Sequence, residues 1–409
     1  MKCRHCGSDR FAPFLDLGTA PPSNSYLRRE ELAAPEIWYP LVIRVCEECL
    51  LVQTEDFAGR ETFFSDSYAY FSSFSQSWLK HAETYVDAMI GRFGLDASSR
   101  VVEIAANDGY LLQFVKARGI ACLGVEPTAS TAAAARDKGI EIVSDFFGQE
   151  LAQRLVSEGW QADLMAANNV LAHVPDINDF VAGFAALLKP EGVATFEFPH
   201  ILNMIAESQF DTAYHEHYSY LSLTAVSRIF EANGLRVFDV ETTPWHGGSL
   251  RVFACRGASA THALNANVTH VLDQERRAGL SDPATYAEMQ ARALSVRDGF
   301  LEFLIAARRE GLRVAAYGAA AKGNTLINFS GVKSDLLEAV ADKNPAKQGL
   351  YLPGSRIPIV DEDALRALRP ERVVILPWNL KDEIMQQLSY IRGWGGKFVT
   401  AIPSLTVHD

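Results

Sequence analysis

From residue 101 onward, continuous apolar runs alternate with segments in which apolar residues recur every three or four positions. The periodic segments YLLQFVKARG and STAAAARDKG predict helices. The apolar runs predict strands at VVEIAA, ACLGVEP, EIVSDFF, ADLMAANNV and GVATFEFP. Because buried strands that alternate with helices are typical of a parallel sheet covered on both faces, we predict a doubly wound α/β domain. LRVFDVETT and SLRVFACR, joined by PWHGG, predict an antiparallel hairpin at the end of this sheet.

The pattern changes on both sides of this domain. The first 57 residues alternate short apolar runs with turn residues, and residues 268–310 carry a helical pattern with one polar face. A second α/β alternation begins at residue 313. We therefore predict three parts: a small module over residues 1–57, the α/β domain over residues 58–257, and a helical bridge with a Rossmann-like domain over residues 258–409.

The composition is that of a globular protein, and its charge argues against some classes of binding partner. The 409 residues are 48% hydrophobic and carry a net charge of −12. Phosphate backbones and anionic membranes attract clustered Lys and Arg, so this charge argues against a nucleic-acid or membrane partner. The sequence has no apolar run long enough to span a bilayer and begins without the apolar segment of a secretory signal. We expect a cytoplasmic protein that is a monomer or a weak homo-oligomer.

Four of the six cysteines form two CxxC pairs. Each CxxC turn places two thiolates on one side, and two such turns supply the tetrahedral shell that Zn²⁺ prefers. The pattern predicts a zinc site with the ligands Cys3, Cys6, Cys46 and Cys49. Four protein ligands leave no open position, so the zinc is expected to be structural. His5, inside the first turn, is a competing but less favoured ligand.

A candidate nucleoside site follows the first strand of the α/β domain. Small residues after this strand let the backbone approach a ligand, and the next helix presents its N-terminus. Glu126 ends the next strand, where a carboxylate can accept both hydroxyls of a ribose. The candidate residues lie at the carboxyl edge of the sheet and are Glu103, Ala105, Asn107, Gly109, Glu126, Asp145 and Asn168.

Two clusters of polar and titratable residues follow later strands. One is AANNVLAHVPD, which contains His173, and the other is YHEHYSY, in which six of seven residues are titratable. In the second cluster His217 or His215 can take a proton at neutral pH, while Glu216 orients a neighbour and Tyr214 donates. A metal chelate at HEH is disfavoured, because residues two apart diverge on a helix and no third ligand is near.

The C-terminal part contains a second candidate nucleotide site. The segment GAAAKG follows a strand and opens a helix, as in the GxGxxG fingerprint with Ala at the middle glycine. In this fingerprint an acidic residue about twenty positions after the glycines binds the ribose. The lysine of GAAAKG suits a phosphate. The ligand is NAD or a nucleotide-sugar, and the candidate residues are Gly318, Lys322, Gly323, Asn324 and Asp342.

These motifs and their order resemble the nucleotide-sugar C-methyltransferases of deoxysugar biosynthesis, in particular the sugar 3-C-methyltransferases. The resemblance covers essentially the whole chain. It rests on the paired CxxC, YAYFSSFSQSWLKH, VVEIAANDGYLL, NNVLAHVPD, FDTAYHEHYSYLS, HGGSLRVF and AAYGAAAKGNTLIN. It implies a zinc-binding module, a class I methyltransferase domain that binds S-adenosylmethionine, and a C-terminal Rossmann-like domain that holds the nucleotide of the sugar.

The resemblance also implies roles for individual residues. His217 would be the base and Tyr214 its acid/base partner, with Glu216 as a supporting carboxylate. His173 matches a second active-site histidine, and Tyr68 matches an aromatic residue near the methyl donor. The expected reaction is methylation of C-3 of a 4-keto-deoxysugar. His217 removes the proton next to the keto group, and His173 or Tyr214 stabilises the resulting oxyanion.

Three alternatives stay open from the sequence. The donor site also suits an O- or N-methyltransferase acting on a small molecule or a sugar, although methylation of an amine needs no strong base. A zinc-ribbon methyltransferase acting on RNA is disfavoured by the acidic charge. An NAD-dependent enzyme would use the C-terminal fingerprint.

Overall fold

Three sheets, of four, seven and six strands, organise the chain. They are seen in a computed structural model that describes residues 1–57 and 71–409. Tyr68, the predicted aromatic residue near the methyl donor, lies outside the described residues. No helix in these two ranges is long and apolar enough to cross a membrane.

The N-terminal sheet is antiparallel and has the order β1-β2-β3-β9. Its strands are β1 (Phe11–Ala20), β2 (Tyr39–Cys46), β3 (Val52–Thr54) and β9 (Ser219–Tyr220). The last strand comes from the stretch that follows YHEH, so the N-terminal module is completed by a segment from the middle of the chain. Val52 pairs with Tyr220 and Gln53 with Ser219.

The central sheet has the order β10-β11-β8-β7-β4-β5-β6. Strands β4 to β8 are parallel, and the hairpin of β10 and β11 closes one edge in antiparallel pairing, as predicted. The strands are β4 (Arg100–Ile104), β5 (Ala121–Val125), β6 (Glu141–Val143), β7 (Ala162–Asn168), β8 (Leu188–Pro199), β10 (Leu235–Thr243) and β11 (Ser249–Arg256).

Helices cover both faces of this sheet, and a separate apolar cluster fills each side. The helices are α1 (Gln76–Phe93), α2 (Leu112–Ala117), α3 (Ala129–Asp137), α4 (Gln149–Ser157), α5 (Ile177–Leu187), α6 (Ile201–Ala206) and α7 (Leu223–Ala232). Helix α1 begins where the Ser75 hydroxyl accepts a hydrogen bond from the backbone N–H of Trp78 at 3.2 Å. It ends at Gly94, whose φ of 62° is the left-handed conformation that glycine tolerates. The predicted doubly wound fold is confirmed.

A helical bridge and a second sheet form the rest of the chain. The bridge contains α8 (Ala266–Arg277), α9 (Pro283–Tyr286) and α10 (Glu288–Arg309). The second sheet has the order β14-β13-β12-β15-β16-β17. Its strands and helices are β12 (Val314–Tyr317), α11 (Ala321–Phe329), β13 (Val340–Ala341), β14 (Ile359–Val360), α12 (Glu362–Leu368), β15 (Arg372–Ile375), α13 (Lys381–Gln387), β16 (Lys397–Thr400) and β17 (Thr406–His408).

One continuous core joins the three parts. A single buried cluster contains Phe14 and Leu41 of the N-terminal module, Phe210 of the central domain, Phe300 of the bridge and Val340 of the C-terminal sheet. Burial of apolar surface is the main stabilising contribution in folding. The three parts are therefore stabilised by the same apolar core. Residues 210–220 lie where the three parts meet.

Candidate active site

The two CxxC pairs converge on one point of the N-terminal module. Their four sulfur atoms all lie within 4.8 Å of one another, and both Cys3–Cys49 and Cys6–Cys46 are separated by 3.5 Å. A tetrahedral shell with Zn–S bonds of about 2.3 Å needs sulfurs roughly 3.8 Å apart, so the cluster fits zinc. His5 lies outside the cluster, because its Nδ1 pairs with the Asn178 side chain at 2.8 Å. The predicted ligand set is confirmed as a metal-binding group.

The loop between β4 and α2 adopts the conformation that glycine usually supplies. Ala105, Asn107 and Gly109 have φ angles of 58°, 49° and 75°. Such backbone costs an L-residue about 1–2 kcal/mol, which Asn tolerates better than Ala. Non-glycine residues persist in this region where surrounding contacts hold them, commonly at functional sites. The side chain of Asn107 provides one such contact by accepting a hydrogen bond from the Ser72 N–H at 2.9 Å.

Glu126 lies at the tip of β5, beside this loop, and is 4% exposed. One of its oxygens accepts the Asn107 N–H and the other accepts the Thr128 N–H, both at 2.9 Å. A carboxylate oxygen has a second lone pair, so these bonds orient the group and leave capacity for two ribose hydroxyls. Asp145 follows β6 but is exposed and faces Arg154 at 3.4 Å. Its predicted part in cofactor binding stays a prediction.

A buried carboxyl group lies under the loop. Glu103 is fully buried, and neither oxygen makes a well-formed hydrogen bond within the described part of the chain. Burial raises the pKa of Glu103 well above its ordinary value, and the Tyr110 hydroxyl offsets only part of this effect. The Asn168 amide nitrogen donates to the Tyr110 hydroxyl at 3.3 Å, while its buried oxygen has no described partner. A ligand carrying an ammonium group fits these unused acceptors.

The predicted base is held in a defined tautomer. His217 Nδ1 lies 2.8 Å from the Thr212 carbonyl oxygen, which only accepts, so Nδ1 carries the hydrogen. Nε2 then has the lone pair and accepts from the Tyr214 hydroxyl at 2.7 Å. His173 repeats this arrangement, with Nδ1 at 2.8 Å from the Glu216 carbonyl oxygen. The two imidazole centroids are 4.6 Å apart.

Burial keeps both imidazoles neutral. It lowers the pKa of His217 well below its ordinary value and that of His173 to about 4. A neutral imidazole with its lone pair on Nε2 accepts a proton, whereas an imidazolium does not. The structure thus brings together the Tyr214, His217 and His173 predicted from the sequence as a proton-accepting group.

The other two residues of HEH point elsewhere. His215 donates from Nε2 to the Pro40 carbonyl oxygen at 3.2 Å and packs against Tyr39, so it faces the N-terminal module. Glu216 is 2% exposed and accepts from the Asn24 amide at 2.8 Å. Burial raises the pKa of Glu216 to about 8. The three side chains therefore do not converge on one metal position.

The glycine turn of the C-terminal sheet is close-packed. A Cβ at Gly318 would lie 2.5 Å from Pro377, and one at Gly323 would lie 2.7 Å from Leu376. Asp342 accepts the Ala319 N–H at 2.7 Å, which ties the turn to the end of β13. Asn324 is 1% exposed, and its side-chain oxygen has no described partner.

Lys322 links this turn to the proton-accepting group. Its half-buried ammonium donates to the Asn379 side chain at 2.9 Å and lies 4.6 Å from the centroid of Trp378. The Trp378 indole in turn donates to buried Asp211 at 2.8 Å. Burial raises the pKa of Asp211 to about 6, and the charge of Lys322 acts against this rise. Lys322 also lies near enough to His217 to lower its pKa.

Sequence reasoning did not single out Asp211, Trp378 or His246. Asp211 belongs to FDTAY and Trp378 follows the strand at β15, so each lies at a strand end or in a motif already noted. Their contact depends on the packing of two domains, and no spacing rule reveals it. His246 lies in the predicted hairpin turn PWHGG and begins HGGSLRVF, a motif of the family resemblance, but neither pattern gives this histidine a role.

Family models match almost the whole chain. A zinc binding domain matches residues 3–64, a methyltransferase domain matches residues 78–240, and a C-methyltransferase C-terminal domain matches residues 244–403. The order of the three models is that predicted from the motifs.

A relative of nearly the same length is the C-methyltransferase NovU of Streptomyces niveus. It is 34% identical over 402 residues, which cover 98% of this chain and 95% of NovU. Magnesium protoporphyrin IX methyltransferase (ChlM) from Synechocystis PCC 6803, with bound SAH, matches 44% of this chain and 83% of its own at 14% identity, with a TM-score of 0.35. The PH0226 protein from Pyrococcus horikoshii OT3 matches 46% of this chain and 95% of its own at 14% identity, with a TM-score of 0.39. The full-length relative and the three domain models show that this chain belongs to the zinc-binding, S-adenosylmethionine-dependent C-methyltransferases.

Proposed function

We propose that this C-methyltransferase acts on a nucleotide-linked 4-keto-deoxysugar, adds the methyl group at C-3, and uses His217 as its base. The observation that carries the proposal is the neutral imidazole of His217, which has its lone pair on Nε2 and lies within electrostatic range of the ammonium of Lys322. Carbon becomes a nucleophile only after a C–H proton is removed. A carbon next to a ketone is acidic enough for an imidazole to do this.

His217 would accept this proton on Nε2. The electron pair of the C–H bond moves into the ring, and the keto oxygen gains the charge of an enolate. The Tyr214 hydroxyl donates to Nε2 before substrate enters. It can turn to the enolate oxygen when Nε2 takes the proton. Hydrogen-bond donors aimed at developing charge in a dry site lower the barrier.

The donor site uses the loop after β4. Glu103 would pair with the ammonium of the methionine part, and Glu126 would accept the ribose hydroxyls. Asn168 would add a hydrogen bond through its buried oxygen. When bound, S-adenosylmethionine supplies the electrophilic methyl group that the enolate carbon takes. The orientation of this group and of the base toward one carbon contributes much of the acceleration.

The nucleotide of the sugar would occupy the edge of the second sheet. Gly318 and Gly323 let the turn pack closely against Pro377 and Leu376, which sets the backbone at that edge, and the Asn324 oxygen there is buried without a described partner. Lys322 extends from the same helix toward His217, so it would lie near the diphosphate and the sugar together. This arrangement favours a substrate that spans both sheets, as a nucleotide-sugar does.

The test uses purified protein with S-adenosylmethionine and 4-keto-6-deoxyhexoses linked to dTDP, GDP or CDP. We expect one of them to gain a methyl group. Its proton NMR signal should be a singlet, because a methyl on a fully substituted carbon has no vicinal proton. A methyl signal at the chemical shift of an O-methyl or N-methyl group would contradict C-methylation.

Binding measurements test the proposed donor site and the proposed nucleotide site separately. Isothermal titration with S-adenosylhomocysteine and then with dTDP, GDP and CDP should give one site for the thioether and one for a nucleotide. If the thioether binds and no nucleotide does, the proposed role of the C-terminal sheet is wrong.

A further inference from the structure

We propose that His246 is a substrate-positioning residue, whose Nε2 hydrogen-bonds the keto oxygen of the sugar while His217 takes the neighbouring proton. The inference rests on the proposed function and adds a residue to it. It is carried by the turn Trp245–Gly247 between β10 and β11, which holds an imidazole at the edge of the reaction site.

The backbone of this turn is strained. His246 has φ 55° and ψ 25°, and Gly247 and Gly248 follow with φ of 90° and 102°. The left-handed region is unfavourable for a residue other than glycine, which persists there only where its surroundings hold it. A plain hairpin would put glycine or Asn-Gly at these positions. The chain instead keeps an imidazole at the strained position.

Contacts from two domains fix the turn. The carbonyl of Gly247 accepts the Gln209 amide at 2.8 Å, and the carbonyl of Gly248 accepts the His200 N–H at 3.1 Å. A Cβ at Gly247 would lie 2.6 Å from the Trp378 ring. Because Trp378 also covers Lys322 and binds Asp211, the turn is packed against the residues that surround the base.

The imidazole of His246 packs against an aromatic ring, while one of its nitrogen atoms lacks a hydrogen-bond partner within the described part of the chain. Its ring packs against Trp78 with centroids 5.0 Å apart. Its Nε2 is buried and makes no hydrogen bond to any residue in the described ranges. A buried polar atom without a partner destabilises the fold, so a ligand that supplies a partner binds more tightly there.

The charges around His246 indicate which kind of ligand atom would pair with its Nε2. His246 lies within electrostatic range of His217 and of Lys322. Burial and, to a lesser extent, the charge of Lys322 lower the pKa of His246 to about 4, so the ring is neutral at pH 7. In the tautomer with its hydrogen on Nε2, a neutral imidazole near an ammonium presents two donors and positive potential to one space. A keto oxygen that becomes an enolate matches this pair, and an ammonium or a methyl group does not.

The test measures proton removal apart from methyl transfer. With S-adenosylhomocysteine bound, dTDP-4-keto-6-deoxyglucose and its GDP and CDP counterparts are incubated in D₂O, and deuterium gain at C-3 is followed by NMR. Asn tolerates the left-handed backbone, so His246→Asn keeps the turn and removes the reach of Nε2. We expect its exchange rate and kcat to fall about 10²-fold. S-adenosylhomocysteine affinity and the melting temperature should be almost unchanged.

Two further variants make the outcome decisive. His246→Gly relaxes the strain and removes the ring, so it should lose exchange as His246→Asn does while remaining folded. His270→Asn, at an exposed histidine on α8, should behave as wild type. The inference is overturned if His246→Asn exchanges at the wild-type rate. It is also overturned if both His246 variants lose thioether affinity and thermal stability together with exchange. Failure of the wild-type enzyme to exchange or methylate any of the three sugars would instead overturn the proposed function.

Discussion

At the scale of single residues, the two histidines of HEH differ in which ring nitrogen donates a hydrogen bond and in which carbonyl accepts it. His217 donates from Nδ1 to a carbonyl of its own loop and keeps its Nε2 lone pair toward Tyr214. His215 donates from Nε2 to Pro40 in the N-terminal module. Two histidines at almost the same position in sequence therefore carry their lone pairs on different nitrogens and face different parts of the molecule.

This difference predicts the outcome of one substitution at each position. His217→Asn should lower kcat by about 10²–10⁴-fold, the usual contribution of a general base, with thioether affinity near normal. His215→Asn should lower stability and leave kcat within a few-fold of wild type. Steady-state kinetics with titration of S-adenosylhomocysteine checks both. Strong residual turnover in His217→Asn would refute its role as base.

Glu216 gives a prediction about pH and stability. Burial raises its pKa from 4.5 to about 8, so the folded chain holds a proton that the unfolded chain releases between these values. Stability from this group is therefore complete below pH 4.5 and falls as the pH rises toward 8. Glu216→Gln keeps the neutral form at every pH. The melting temperature of Glu216→Gln minus that of wild type should increase steadily from pH 5 to pH 8.

A matched control is available for this measurement. Glu302→Gln, at an exposed position on α10, should show a difference from wild type that does not change with pH. A pH-independent difference for Glu216→Gln as well would mean that Glu216 is ionised in the folded protein.

The sequence identified these residues by different routes. The cysteines followed from spacing alone, because two CxxC turns have few other uses. The titratable cluster indicated a candidate site for acid/base chemistry. It did not show which histidine acts, because this depends on the carbonyls of Thr212 and Pro40. No role is predicted for His246, because PWHGG also satisfies the requirements of a hairpin turn.

At the scale of elements, the bridge is tied to the central domain by one carboxylate. Glu275 on α8 is 1% exposed and accepts the Thr224 N–H at 2.9 Å at the start of α7. It also binds the Thr224 hydroxyl at 2.6 Å and His200 at 2.7 Å. A carboxylate at a helix N-terminus satisfies N–H groups that have no partner in the helix.

We expect Glu275→Ala to lower the free energy of unfolding by roughly 3–5 kcal/mol, because it leaves a buried histidine and helix N–H groups without their partner. Urea unfolding followed by circular dichroism measures this change. Glu302→Ala removes an exposed glutamate and should change it by less than about 0.5 kcal/mol. A loss for Glu275→Ala no larger than for the control would show that α7 begins without this cap.

Most elements followed from the hydrophobic pattern, including the closing hairpin of β10 and β11. Short strands did not, since β9 and β13 have two residues each and leave no periodic pattern. β9 was hidden for a second reason. It follows YHEH, and its partner β3 lies in the N-terminal module, so no local signal links the two.

At the scale of the whole molecule, the zinc module contacts the candidate active site directly. The Thr54 hydroxyl on β3 donates to the His217 carbonyl oxygen at 3.0 Å. The Tyr26 hydroxyl donates to the Ala319 carbonyl oxygen at 2.7 Å, in the glycine turn of the C-terminal domain. The metal thus supports the walls of a site in which it takes no chemical part.

Removal of zinc should therefore reduce turnover more than donor binding. Released metal, measured with a chromogenic chelator, should be one zinc per chain, as expected for one four-cysteine cluster. Cys46→Ser should lose zinc and most of kcat, with S-adenosylhomocysteine affinity largely kept. Cys122→Ser alters a thiol outside the cluster and should retain metal and activity. Normal turnover in a zinc-free protein would contradict this support.

Strand pairing between β3 and β9 also constrains the order of events during synthesis. When β3 leaves the ribosome, the metal ligands of the first module are all present, but the strand that completes its sheet has not yet been translated. Most of the methyltransferase domain is made in between. Contacts so distant in sequence form slowly, and an open strand edge is prone to wrong pairing until they do. Early metal capture would hold the nascent module in its native register during this wait.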